Sequence, residues 1–241
     1  MSIGDSVWER TGSDEVSKNY FMLLYGFFTF IGLAITAIGA FFTQNWVTLN
    51  TANKMVYNGP IHFLSLCLVV LISGFVGIWI ALSSKKPLIS FFGYMLVAAP
   101  FGLMLGPVVG LYTAASVAKV VFVTAMLVAV LTVVGAVIPE SLSNWNGILF
   151  AGLLILLLGQ FGIPLAGLLI PGFPLQGALT LWDWLGVFLF SGYVIFDVNQ
   201  ALRVPATVDN AVDCALALYL DIINLFIRLL SIMGQLKSGN D

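Results

Sequence analysis

Apolar residues run through this chain in long blocks, and polar residues fall mostly between them. The blocks cover about 20–42, 61–82, 87–110, 113–138, 147–170, 181–203 and 210–233. Each reaches the ~20 residues that a helix needs to cross a hydrocarbon core of about 30 Å. Seven transmembrane helices are predicted. A polar tail over 1–19 precedes them and a short polar tail over 234–241 follows, leaving 20–233 as the membrane domain. The first tail lacks a basic start, and its apolar block is too long for a signal-peptide core, so a retained tail and a true first span are expected. No soluble domain is expected at either end.

Connections are short at Ser83–Lys86, Pro139–Asn146, Pro171–Thr180 and Val204–Asp209. The longest, Thr43–Pro60, is rich in asparagine. Short connections imply antiparallel neighbours, so the expected fold class is an all-α, seven-helix membrane bundle. No repeat or low-complexity segment is visible.

Composition sharpens this picture. Of 241 residues, 60% are hydrophobic and 8% are charged, against about 25% charged in an ordinary soluble domain. Too few charges remain to solvate a globular surface, which argues against a soluble enzyme or a disordered regulator. The net charge of −2 and the lack of a basic stretch argue against nucleic-acid binding. The lipid bilayer is the first partner, and no enzyme activity and no cofactor are expected. Counting Arg10, Lys18, Lys85, Lys86 and Arg203 on one side and Lys54 and Lys237 on the other, the positive-inside rule puts the N-terminus in the cytoplasm and the C-terminus outside.

Gly102, Gly106 and Gly110 form a GxxxGxxxG stripe flanked by Pro100 and Pro107. Small residues at this spacing let helices approach closely in lipid. The stripe is read as helix packing, or as a flexible gate if the prolines kink the helix.

The candidate chemistry lies in charges inside the blocks, because burying an ionisable group in lipid is expensive. Asp183, between Trp182 and Trp184 at the predicted start of span six, reads as a wet carboxylate in an interfacial aromatic belt. Lys119 reads as a snorkelling lysine. The last two spans differ. With Asp221 at zero, a helix places Arg228, Ala217, Asn224 and Asp213 within about 80° of it on one side. Such a polar stripe must face protein or water, so helix seven is expected inside the bundle. Span six supplies Asp197. It lies twelve residues before Asp209, and Asp221 lies twelve after. In a hairpin turning there, the two carboxyls sit at similar depth and can meet.

Two carboxylates a few Å apart in a low-dielectric site cannot both ionise cheaply, so they share a proton. That makes Asp197 and Asp221 a candidate proton switch. Ionised, they offer hard oxygen ligands for transient Ca2+ binding. Asn224 adds an amide oxygen, and Arg228, Lys85 or Lys86 could compete for the carboxylates. The bland alternative is a polar cluster that only fixes packing.

Other chemistries lack their residues. Cys67 and Cys214 form no metal or disulfide pattern. His62 is alone at the start of span two and reads as interfacial. Helix seven carries no lysine for a retinal Schiff base, and no GxGD motif surrounds either aspartate.

The run Ala217-Leu218-Tyr219-Leu220-Asp221-Ile222-Ile223-Asn224-Leu225-Phe226, with Leu229, Leu230 and Gly234, resembles the C-terminal signature of the Bax-inhibitor family. Tyr193…Asp197-x-Asn199-Gln200 resembles its sixth-helix motif, and Gly102-Leu103 with Leu105-Gly106-Pro107 its third-helix segment. The first 80 residues match in hydropathy alone. The resemblance implies a seven-helix bundle with helix seven central, acting as a pH-sensitive calcium leak. By motif it maps the pH sensor onto Asp197 and Asp221. A latching basic residue at the end of helix two has its nearest counterparts in Lys85 and Lys86. Where many relatives carry Arg, this chain has Ser231, with Arg228 one turn earlier.

Three readings follow: a proton-gated cation leak with Ca2+ and protons as partners, a non-conducting regulator that binds another membrane protein such as a protease or channel, and a proton-coupled cation exchanger. The short tails favour a bacterial inner membrane over an endomembrane.

Overall fold

The computed structural model describes residues 15–49, 55–59 and 63–238. Seven helices follow in order: α1 (Lys18–Thr43), α2 (Phe63–Ser83), α3 (Pro87–Val109), α4 (Ala114–Val137), α5 (Trp145–Leu169), α6 (Leu175–Ala201) and α7 (Val208–Ser238). All seven are long and apolar enough to cross a membrane. The protein is a multi-pass integral membrane protein. His62, Lys54 and most of the tail 1–19 lie outside the described residues, as do the side chains at 235–241.

Three boundaries differ from the sequence reading. The connection after α1 is not all loop: β1 (Val47–Leu49) and β2 (Met55–Tyr57) pair antiparallel, with Thr48 opposite Val56. Helix α7 runs on to Ser238, into the segment read as tail. Helix α6 begins at Leu175, just after Pro174 at its N-cap, and not near 181, because Gln176, Gly177 and Thr180 lower the apolar signal without preventing a helix.

The chain forms two compact units, each with its own packing. The first holds α1, the hairpin, α2, α3 and α7 as far as Tyr219; the second holds α4, α5, α6 and α7 from Leu220 on.

In the first unit the glycine stripe of α3 lies against α1. A Cβ on Gly102 would stand 2.7 Å from Thr36 O, so only glycine permits this approach. Gly106 and Gly110 face Ala40 and Gln44 in the same way. These are the contacts of close helix packing. Pro107 has no N–H to give to the Leu103 carbonyl four residues back. Thr43 Oγ1 of α1 stands 3.0 Å from that carbonyl and 3.0 Å from Gly39 O of its own helix, so its one proton is shared between the two. Thr36 Oγ1 donates to Ala98 O at 3.1 Å, so its 2.7 Å contact with Tyr219 Oη is one in which the tyrosine donates. Tyr219 also meets Tyr94 edge to face, with ring centroids 5.3 Å apart. Ser17 caps α1, and the Val16 N–H donates to Ala206 O at 2.7 Å, tying the chain before α1 to the turn before α7. Asp209, in the first turn of α7 where the helix dipole favours a negative charge, accepts from Ser90 Oγ at 2.6 Å.

In the second unit α6 packs against both α4 and α5. Asn199 organises the α4–α5 connection. The two hydrogens of its Nδ2 are shared among the carbonyls of Gly135, Ile138 and Glu140, and its Oδ1 accepts from Leu142 N. Arg203, one turn on, donates from Nε to Asn199 Oδ1 at 3.0 Å and from Nη2 to Pro139 O at 2.7 Å. A loop that would leave carbonyls unsatisfied in a membrane protein is thus closed onto the end of α6.

Candidate functional site

The clamp at Asn199 holds the stretch of α6 that carries Asp197. Asp221 enters the same unit from α7, and its carboxyl neighbours that of Asp197. A carboxylate is only an acceptor, so a hydrogen bond between two carboxyls needs a proton on one of them. Asp221 is 4% exposed, and its Oδ2 has no hydrogen-bond partner among the described residues. Tyr193 lies one turn before Asp197 on α6. Two carboxyls this close can hold one proton between them. Among the described residues no group of three His, Cys, Asp or Glu is placed to hold a metal, whereas Ca2+ takes about six to eight oxygens.

The other candidates separate. Arg228 does not reach for the pair. Its Nη1 donates to Asp183 Oδ1 at 2.9 Å, and its Nη2 donates to Gln160 Oε1 of α5 at 2.9 Å. Ser231 Oγ donates to Asp183 Oδ2 at 2.6 Å. This corrects two expectations. Asp183 is not a wet interfacial carboxylate: it is 7% exposed and ion-paired. The early start of α6 puts it two turns inside the helix. Trp182 likewise turns inward, donating from Nε1 to Leu156 O at 3.2 Å. Arg228, expected to compete for Asp197 and Asp221, already has a carboxylate.

Asn224 donates to Leu220 O of its own helix at 2.8 Å. Asp213 is buried in the first unit, on the earlier half of α7. Lys85 and Lys86 also belong to the first unit, exposed in the turn between α2 and α3. Lys119 is exposed. Sequence reasoning missed Asp183 as a partner and Asn199 with Arg203 as a clamp. An opposite charge for Arg228 was available in the sequence, but charges forty-five residues apart announce no contact by spacing.

The family model described as "Inhibitor of apoptosis-promoting Bax1" matches residues 17–238, from the last residue before α1 to the end of α7. The chain belongs to the Bax inhibitor family. The match to this family therefore includes the first helices, where the sequence offered hydropathy alone. Among its relatives, inner membrane protein YbhL of Escherichia coli (strain K12) is 30% identical over 232 residues, covering 90% of this chain and 92% of the relative. Protein LIFEGUARD 1 of Arabidopsis thaliana is 30% identical over 176 residues, 71% of this chain and 72% of its own. Bax inhibitor 1 of Schizosaccharomyces pombe is 30% identical over 140 residues, 58% of this chain and 50% of its own. As a Bax inhibitor family member, this chain has both aspartates of the pair inside the matched region.

Proposed function

We propose that this protein is a pH-sensitive cation leak, with Ca2+ the favoured ion, and that the Asp197–Asp221 pair is its proton switch. The observation that carries the reading is the juxtaposition of the two carboxyls on α6 and α7. A hydrogen bond between them needs one shared proton and is lost when that proton leaves, because two adjacent carboxylates repel in a low-dielectric site. The switch joins α6 to α7, so gain or loss of one proton changes how these helices hold each other. The buried, unpartnered Asp221 Oδ2 supports passage of a cation. By analogy with the relative named an inner membrane protein, a bacterial inner membrane is the proposed location.

A second reading is a regulator that conducts nothing itself. The family description, which names inhibition and not transport, favours it. Purified protein in liposomes separates the two. The leak reading predicts Ca2+ efflux whose rate changes between about pH 5 and about pH 8, with that change flattened in Asp197→Asn and in Asp221→Asn. Efflux no faster than from empty liposomes at every pH contradicts it and supports the regulator. Efflux that requires a counter-ion points to an exchanger.

A further inference from the structure

The ion pair between Asp183 and Arg228 lies on the same two helices as the carboxyl pair, seven residues farther along α7. On a helix, seven residues span about 10 Å and return to within about 20° of the same face. Arg228 and Asp221 therefore share one stripe of α7, and that stripe is held to α6 at two heights.

Apolar contacts are non-directional. In a membrane helix rich in leucine and isoleucine, a slide by one turn exchanges one apolar contact for another. Directional bonds fix the register. Both oxygens of Asp183 are used, one by Arg228 Nη1 and one by Ser231 Oγ, and the second guanidinium nitrogen ties in Gln160 of α5. The backbone leaves room for this. The Cγ, Cδ and Nε of Arg228 lie 2.9 to 3.2 Å from where a Cβ on Gly186 would stand, so the arginine stem runs over a residue with no side chain. A slide of one turn, about 5.4 Å, would break all these bonds and carry Asp221 out of reach of Asp197.

We propose that Asp183 and Arg228, seated over Gly186, are positioning residues that set the register of α7 on α6 and so place Asp221 opposite Asp197. This rests on the reading of the carboxyl pair as the functional centre, but its first test does not need conduction. In a chain with Cys67→Ser and Cys214→Ser, Asp197→Cys and Asp221→Cys are cross-linked in lipid with a short bis-methanethiosulfonate. With the Asp183–Arg228 pair intact, the cross-link forms in high yield. Arg228→Gln and Asp183→Asn each lower the yield several-fold, the double variant is no worse than either single one, and Arg228→Lys recovers part of the loss. In the liposome assay, Arg228→Gln flattens the pH dependence of efflux, which a loss of stability alone would not do. Undiminished cross-linking in Arg228→Gln overturns the proposal. So does an unchanged pH profile in a variant whose cross-link has fallen. A wild type that conducts nothing removes the leak reading and leaves the cross-link result standing.

Discussion

Asn199 illustrates how much one polar side chain can carry in lipid. Its two amide hydrogens are shared among three carbonyls, its oxygen takes one backbone N–H, and it also holds Arg203 in place. Leaving even some of these groups buried without partners costs about 1–3 kcal/mol each. Asn199→Ala is therefore expected to destabilise the protein by about 3 kcal/mol or more, seen as a lower melting temperature in detergent and faster proteolysis in the 139–144 connection. An unchanged melting temperature would mean that the clamp is dispensable. At this scale the sequence was partly legible. Asp197 and Asp221 stood out because an aspartate in an apolar block has few excuses, and their equal distances from Asp209 put them at one depth. Asp183 was misread because two flanking tryptophans suggested an interface. Trp182 in fact packs on α5, where it overlies Gly159.

Helices α1 and α3 show how one element accommodates another's defects. The proline that removes an N–H from α3 frees the Leu103 carbonyl, and a threonine on α1 answers it. Thr43→Val should cost about 1–2 kcal/mol in the natural background. In a Pro107→Ala background, where the alanine N–H can serve Leu103 O, it should cost markedly less. A double-mutant cycle on thermal stability reads the difference, and equal costs would refute the coupling. Gly102→Val should be worse than either, by about 1–3 kcal/mol for overpacking, because the atom it meets is backbone in Thr36. The GxxxGxxxG spacing announced that surface, but nothing in it named α1 as the partner. Element ends were less legible. Gln176, Gly177 and Thr180 lower the apolar signal at the start of α6 without preventing a helix. The β1–β2 hairpin hid in a connection whose Val-Thr-Leu and Met-Val-Tyr runs are too short to stand out.

Across the whole molecule the seven spans were the most legible feature, because a bilayer demands about twenty apolar residues whatever the fold. Charge scarcity excluded soluble classes for the same reason. The two-unit organisation was not legible: it divides α7 at Tyr219 and Leu220, inside one continuous helix with no break in its sequence pattern. The polar stripe from Asp213 to Arg228 looked like a single face, yet its members belong to different units and different bonds. Asp221 neighbours Asp197, and Arg228 is paired with Asp183. On the proposed reading, one shared proton on the Asp197–Asp221 pair controls a cation leak. Infrared difference spectra of carboxyl protonation, recorded on the same liposomes as Ca2+ efflux, put this to the test. One carboxyl is expected to titrate in step with the pH dependence of efflux, and Asp221→Asn is expected to lose both that signal and that dependence. A leak whose pH dependence survives in Asp221→Asn, or follows no carboxyl titration, would contradict it.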